Sequence, residues 1–316
     1  AIDLGIAGDD PRRVEAGILF ELTYNLSAGH SFLPEQKLIA ATAQLLSIDA
    51  ETVARVLARA VEGERVVTDV LSDIKVIYLP QLYSAETYCT ARLKELSAAS
   101  FPTEQDLDVR IHTAAEESGL SYSQQQEQAI REAASCGLLL ITGGPGTGKT
   151  TVLRGILNLL RSLKLNCLLA APTGRAAKRL SEVTGEEAST IHRLLESGID
   201  PATGKMVFAR DDSNPLKCDA VVVDEMSMVD VLLMSSLLKA IPKGKRLILV
   251  GDPDQLPPVG PGFPFSDMLR SGCLPTVHLT EIFRQAQQSD IVMNAHAVNA
   301  GEMPRPSGAD GDFFIM

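Results

Sequence analysis

LLLITGGPGTGKTT, at residues 138–151, decides the fold of this 316-residue chain. Apolar residues of strand length lead into a glycine-rich turn, and the residues after the turn carry apolar side chains at helical spacing. Between the strand and the helix, Gly143–Thr150 satisfies the pattern G-x-x-x-x-G-K-[ST]. A glycine-rich turn that arose by chance would rarely have a strand before it and a helix after it. The stretch therefore predicts a loop that binds the phosphates of a nucleoside triphosphate.

The chemistry of such a loop explains each residue type in it. Glycines allow backbone N–H groups to converge on the phosphates, and the helix N-terminus adds its dipole. Lys149 is predicted to bridge the β- and γ-phosphates, and the hydroxyl of Thr150 is predicted to bind Mg²⁺. The candidate nucleotide-binding residues are Gly143, Gly144, Pro145, Gly146, Thr147, Gly148, Lys149, Thr150 and Thr151.

Composition narrows the class of protein. The net charge of −11 argues against a uniformly basic nucleic-acid-binding surface, although it leaves room for a narrow basic track. Five scattered cysteines without a C-x-x-C pair indicate neither a disulfide framework nor a zinc site, and favour a reducing cytoplasm. We find no apolar run near the roughly 18 residues of a membrane span. Both ends are expected to be cuts within a longer protein.

Residues 1–100 form a predicted N-terminal module. Three stretches with helical spacing are followed by two β-rich runs, 65–70 and 75–79, which is the outline of a winged helix-turn-helix. Such a module is either a docking platform for nucleic acid or protein, or a small helical spacer, and its few basic residues do not distinguish the two. Residues 101–120, with Pro102 and mixed charges, are expected to be a linker.

Strands and helices alternate after the phosphate loop, which predicts an α/β domain with a parallel sheet over residues 121–280. Short apolar runs at 168–171, 221–223, 247–250 and 277–279 are each followed by polar residues. Ligands of open α/β sheets collect at the C-terminal ends of the strands. A hairpin around residues 198–212 is expected between two of these strands, either as a plain surface feature or with a role of its own.

Two acidic residues and one glutamine are candidates for the nucleotide chemistry. Asp224 and Glu225 follow an apolar strand, so Asp224 is assigned to Mg²⁺ and Glu225 to the general base that takes a proton from the attacking water. Gln126 precedes the strand of the phosphate loop by about a dozen residues. Its amide can pair with the donor and acceptor edge of adenine, although a polar helix face explains it equally well.

The motifs GGPGTGKTT, APTGRAAKRL, STIHRLL, VVVDEMSM, GDPDQLPPVGPG and LTEIFRQ occur in this order. Together they resemble the superfamily 1 DNA helicases, most closely the RecD-like branch, while conjugative relaxase-helicases share several of them. The resemblance implies a RecA-like P-loop ATPase domain that uses ATP and Mg²⁺ to move 5′ to 3′ along single-stranded DNA in recombination or repair. It also implies that residues 281–316 begin a second motor domain.

Residue roles follow from the same resemblance. Gln126 is similar to the glutamine that reads adenine, Gln255 to the γ-phosphate sensor, and Arg284 to an arginine finger. The implied DNA-binding residues are Pro172, Thr173, Gly174, Arg175, Thr190 and His192, with Lys178 adding local positive charge. In RecD-like helicases a hairpin at the position of 198–212 lies near the DNA fork.

Two other functions compete with a helicase motor. One is a nucleotide- and DNA-binding module without turnover, since the motifs of a complete second motor domain are not found after Glu302. The other is a P-loop kinase for small molecules, which gives no reason for GDPDQLPPVG or APTGRAAKRL. The expected partners are single-stranded DNA and other repair proteins, with the chain itself a monomer.

Overall fold

A computed structural model describes residues 5–102, 106–117, 119–283, 288–307 and 311–314. The chain divides into two compact units. The first comprises Ala1–Ala91, Asp230–Ser235 and Pro258–Pro264, and the second comprises Arg92–Val229, Ser236–Pro257 and Phe265–Met316. The boundary expected near residue 100 therefore lies closer to residue 91, and two short later segments group with the first unit.

The first unit has the element order of a winged helix. Its helices and strands are α1 (Pro11–Tyr24), β1 (Phe32–Pro34), α2 (Glu35–Leu46), α3 (Ala50–Glu62), β2 (Val67–Leu71) and β3 (Ile74–Tyr78). The strands form an antiparallel sheet in the order β1-β3-β2. The predicted three helices and hairpin are present. Strand β1 was not expected, because three residues ending in proline carry no strand pattern.

Local sequence explains how these helices begin and which face they bury. Asp10 accepts a hydrogen bond from the backbone N–H of Arg12 at the start of α1, with proline at the first helical position. Asp49 caps α3 in the same way through the N–H of Thr52. Apolar residues at helical spacing then pack with Ile77 of β3 in one core, which includes Val14, Ile18, Leu22, Leu38, Val53 and Leu57.

The expected linker is instead part of the second unit. Helix α4 (Pro80–Ala98) is followed by α5 (Leu107–Glu117), which packs against the helices α6 (Gln124–Ser135) and α7 (Lys149–Ser162). Leu107 and Ile111 are 3% and 2% exposed in the main core. The prediction of a linker over 101–120 was wrong because Pro102 and the charged residues masked a helix that buries only one narrow face.

The second unit is built on a six-stranded parallel sheet with the order β11-β4-β10-β9-β5-β6. Its strands are β4 (Leu138–Gly143), β5 (Cys167–Ala171), β6 (Ala188–Thr190), β9 (Ala220–Val223), β10 (Arg246–Gly251) and β11 (Thr276–Leu279). The central strands are covered on both faces, which explains their continuous apolar runs. The predicted RecA-like α/β fold is confirmed.

Further elements complete this part of the chain. They are α8 (Gly174–Thr184), α9 (Ile191–Leu194), β7 (Ser197–Ile199), β8 (Met206–Phe208), α10 (Val231–Ala240), α11 (Pro264–Ser271) and α12 (Asp290–Asn299). Strands β7 and β8 pair antiparallel and form the hairpin predicted around residues 198–212, which spans residues 197–208. Phe265–Met316 groups with the second unit, so residues 288–307 do not stand apart as a new domain.

Two global properties bear on function. No helix among the described residues is both long and apolar enough to cross a membrane. All five cysteines are free thiols. Burial raises the pKa of Cys167 to about 12 and that of Cys218 to about 11, so both thiols stay protonated at neutral pH.

Candidate nucleotide and DNA site

The phosphate loop lies between the end of β4 and the start of α7. Gly146 and Gly148 have φ angles of 77° and 81°, in the left-handed region where a residue with a Cβ is strained. Gly148 is doubly constrained, because a Cβ there would overlap with Nε2 of Gln126. The hydroxyl of Thr147 donates to the carbonyl of Gly144 at 2.8 Å and closes the turn. The conformation of the loop therefore follows from the glycine spacing.

Lys149 lies folded into its own loop. Its ammonium group donates to the carbonyl oxygens of Gly143 and Gly144, the second at 3.1 Å, and it lies 3.7 Å from Oδ2 of Asp252. Asp252 is only 1% exposed at the end of β10. No role for Asp252 was predicted from the motif GDPDQLPPVG, because the pairing of β10 with β4 is not visible in either motif alone.

The carboxylates predicted for Mg²⁺ and for the base follow β9. The pKa of Asp224 is raised to about 6, chiefly by burial and also by the charge of Glu225, while the backbone N–H of Glu225 lowers it by donating to Asp224 at 2.9 Å. Glu225 has φ = 55°, a left-handed conformation that is uncommon for a non-glycine residue. Such strain is concentrated at functional sites.

A cavity of about 760 Å³ brings these groups together. Its lining includes Gly144, Pro145, Gly146, Thr147, Gly148, Lys149, Thr150, Thr151, Arg179, Asp224, Glu225, Gln255 and Phe283. The strand order places β4, β10 and β9 side by side, so the loops at their C-terminal ends meet at one edge of the sheet. Among the described residues, all predicted catalytic, nucleotide-binding and metal-binding residues line this cavity except Gly143 and Gln126.

The oxygen atoms of this cavity suit Mg²⁺. Thr150, which carries a hydroxyl, and Asp224, which carries a carboxylate, both line it. Mg²⁺ is usually held by one or two protein oxygens together with substrate phosphates and waters. Within the described ranges, no cluster of three or more His, Cys, Asp or Glu residues has the arrangement of a metal site made by protein alone. The residues therefore fit a metal that arrives with a nucleotide.

Gln126 has a structural role that the adenine prediction did not include. Its Oε1 accepts from the N–H of Ser123 at 3.0 Å, and the hydroxyl of Ser123 accepts from the N–H of Gln126, which together form the capping box of α6. Gln126 is 0% exposed and does not line the cavity. Its Nε2 is buried with no hydrogen-bond partner among the described residues. This buried donor beside Gly148 is the unpaired part of the amide.

Of the two residues predicted from the later motifs, Gln255 and Arg284, only Gln255 lies among the described residues. Gln255 lines the cavity, and its backbone N–H donates to the carbonyl of Asp252 at 3.2 Å, so it lies in a tight turn beside the phosphate loop. Arg284 lies outside the described residues. Its neighbour Phe283 donates its backbone N–H to the carbonyl of Gly146 at 3.2 Å.

The predicted DNA-binding residues lie at the C-terminal ends of β5 and β6, at the same edge of the sheet as the cavity. Thr173 and Thr190 both cap helices: their hydroxyls accept from the N–H groups of Ala176 and Arg193 at 3.2 and 3.1 Å. These caps account for a threonine at each position without any contact to DNA. The turn that bears Pro172 and Gly174 still presents backbone N–H groups at a helix start.

The side chains near this turn differ in availability. Arg175 is exposed, whereas Lys178 is exposed but lies 3.8 Å from Glu182 on the same helix. His192 packs against Phe208 of the hairpin, with ring centroids 5.8 Å apart, which favours a packing role. Arg179 lines the nucleotide cavity, and its charge lowers the pKa of Asp224.

The chain is similar in sequence to several known proteins. A family described as an AAA domain matches residues 126–261. The ATP-dependent RecD2 DNA helicase of Deinococcus radiodurans is 36% identical over 310 residues, which cover 95% of this chain and 42% of that protein. The RecBCD enzyme subunit RecD of Mycolicibacterium smegmatis is 41% identical over 169 residues, which cover 46% of this chain and 30% of that subunit.

A solved structure, the Pif1 helicase of Candida albicans, matches with 25% identity and a TM-score of 0.43, covering 58% of this chain and 45% of that one. The chain spans less than half the length of the curated relatives named above.

Proposed function

Since this chain belongs to the RecD-like branch of the superfamily 1 helicases, we propose that it is the ATP-binding and ATP-hydrolysing motor portion of a helicase that moves 5′ to 3′ along single-stranded DNA. The observation that carries the proposal is one cavity lined by Lys149, Thr150, Asp224, Glu225 and Gln255. These groups come from the ends of three adjacent strands and supply the parts that phosphoryl transfer needs.

The proposed division of labour follows from the chemistry of each group. Lys149 leaves the carbonyls of its own loop and binds the β- and γ-phosphates. Thr150 and Asp224 would hold Mg²⁺, which would supply positive charge to neutralise the phosphates. Glu225 accepts the proton of the attacking water, and Gln255 contacts the γ-phosphate from its turn. Arg284 is proposed to stabilise the charge of the transition state, and Gln126 to read adenine through its unpaired Nε2.

The DNA track is proposed to begin at the turn after β5 and the cap of α9. Exposed Arg175 and the helix start at Gly174 offer a charged side chain and backbone N–H groups to phosphates. The hairpin of β7 and β8 adds exposed apolar side chains, with Ile199, Met206 and Val207 exposed by 73%, 61% and 46%. Exposed aliphatic side chains can be inserted as wedges between base steps, which supports a place for the hairpin at the fork.

Further aspects of the proposal rest on composition and on the relatives. We place the protein in the cytoplasm, because its five cysteines are free thiols. We expect a monomer that acts with other repair proteins in recombination or repair.

An ATPase assay with and without single-stranded DNA tests the proposal. A DNA-stimulated rate supports a helicase motor. ATP binding without turnover under either condition would favour a nucleotide- and DNA-binding module. Turnover that depends on a small-molecule phosphate acceptor would favour a kinase and contradict the proposal.

A further inference from the structure

Helix α12 is hydrogen-bonded to two loops of the nucleotide site. Nε2 of His296 lies 2.9 Å from the carbonyl oxygen of Pro145, in the phosphate loop. One turn further along the helix, Nδ2 of Asn299 donates to Oδ2 of Asp254 at 2.7 Å, in the turn that contains Gln255. One short helix therefore connects the phosphate loop to the turn proposed to sense the γ-phosphate.

The imidazole of His296 acts as a donor in this contact. A carbonyl oxygen can only accept, so Nε2 must carry the proton, in either the neutral or the charged ring. The ring also lies against Gly144, where a Cβ would approach its Cε1 to 2.8 Å. Gly144 is not among the glycines with positive φ, so its lack of a side chain serves this close approach rather than a special backbone angle.

The bond to Pro145 fixes the orientation of a phosphate-loop donor. The carbonyl of Pro145 and the N–H of Gly146 belong to one planar peptide, and no cis peptide occurs among the described residues, so the two groups point in opposite directions. With the carbonyl held by His296, the N–H of Gly146 is directed away from α12. The next peptide is also held, since the carbonyl of Gly146 accepts from the N–H of Phe283. Both peptides that flank Gly146 are thus oriented by the chain after β11.

The bond from Asn299 acts on the other loop. The backbone N–H of Asp254 donates to Oδ1 of Asp252 at 3.2 Å, and Oδ2 of Asp252 faces Lys149 at 3.7 Å. The N–H of Gln255 donates to the carbonyl of the same Asp252. Holding Asp254 in place therefore holds the turn from which Gln255 reaches the cavity.

We propose that His296 and Asn299 are positioning residues that preset these two loops for a nucleotide. This inference rests on the proposed function and deepens it. His296 acts on a loop that binds the phosphates shared by nucleoside di- and triphosphates. Asn299 acts on the turn with Gln255, whose proposed partner is present only in the triphosphate. His296 therefore supports the binding of both nucleoside di- and triphosphates, whereas Asn299 supports only the recognition of the γ-phosphate.

The test is calorimetric titration of the full chain, in Mg²⁺, with ADP and with a non-hydrolysable ATP analogue. His296→Ala should weaken both ligands by about fivefold, the effect of losing one neutral hydrogen bond. His296→Gln should restore most of the affinity, because its amide N–H can reach the same carbonyl. Asn299→Ala should weaken the ATP analogue by about fivefold and leave ADP unchanged. Val298→Ala is the matched control, since Val298 is 56% exposed on the same helix.

Melting curves of each variant accompany the titrations, so that loss of folding is recognised separately. Unchanged binding by His296→Ala, or no recovery in His296→Gln, would overturn the role of His296. Equal losses for ADP and the ATP analogue in Asn299→Ala would overturn the role of Asn299. If the unaltered chain bound neither nucleotide, the proposed function itself would fail, and the inference with it.

Discussion

The ammonium group of Lys149 lies 3.7 Å from Oδ2 of Asp252, a carboxylate that is only 1% exposed. A buried carboxylate without a cation nearby is costly, so the phosphate-loop lysine and the acid at the end of β10 stabilise each other. A triphosphate carries more negative charge than one carboxylate and is expected to draw Lys149 out of its loop. The first prediction follows from this exchange of partners.

Lys149→Ala should abolish measurable nucleotide binding, because the β- and γ-phosphates lose the cation that the loop supplies. Calorimetric titration with Mg-ATP measures this loss. Lys217→Ala is the control, since that exposed lysine precedes β9 at the opposite edge of the sheet. Unchanged affinity in Lys149→Ala would contradict the assignment of Gly143–Thr150 as the phosphate loop.

Glu225→Gln should bind Mg-ATP almost normally and lose hydrolysis, because the amide keeps the shape of the side chain but cannot accept a proton. Asp224→Asn should instead weaken binding that depends on Mg²⁺. Binding and steady-state ATPase rates, measured on both variants, separate the two roles. Identical behaviour of the variants would show that the roles are divided differently.

Mg²⁺-dependent nucleotide binding should weaken as the pH falls from 8 to 5. The pKa of Asp224 is raised to about 6, so its carboxylate is charged above that pH and becomes protonated below it. A protonated carboxyl is a poor ligand for Mg²⁺, and below pH 6 the affinity should drop by up to about tenfold per pH unit. Nucleotide titrations in Mg²⁺ between pH 8 and pH 5 test this trend. Asp224→Asn should remove the part of the pH dependence that comes from protonation of Asp224. A flat profile in the unaltered chain would argue against Asp224 as a metal ligand.

Binding of single-stranded DNA should be weak and salt-sensitive, because the net charge of −11 opposes association. Each neutralised phosphate contributes roughly −0.7 to the slope of log affinity against log salt concentration. Arg175→Ala should reduce the slope by about that amount without loss of ATP binding. Titration of a labelled oligonucleotide at several salt concentrations measures the slope, with Lys217→Ala as the control. Salt-independent binding would place the DNA site elsewhere.

Local sequence patterns predicted those features that are formed by residues close together in the sequence. The phosphate loop follows from glycine spacing between a strand and a helix, and β9 and β10 follow from apolar runs buried on both faces. Helix α5 was missed because its charged residues and Pro102 imitate a linker, while Leu107 and Ile111 bury only a narrow stripe.

Relationships between distant residues were beyond local patterns. Asp252 faces Lys149 because β10 lies beside β4, and the sequence does not state the strand order. His296 reaches Pro145 across 151 residues of chain. Gln126 was recognised as a motif residue, but its use of Oε1 in the cap of α6 depends on a side-chain orientation.

The left-handed backbone at Glu225 has a consequence for how this sequence is maintained. A non-glycine residue in that conformation costs on the order of 1 kcal/mol, so Glu225→Gly should make the protein more stable while removing its proposed base. Selection for stability alone would therefore discard this glutamate. A library of variants sorted only for thermal resistance should enrich glycine at position 225, whereas one sorted for ATP turnover should retain glutamate there.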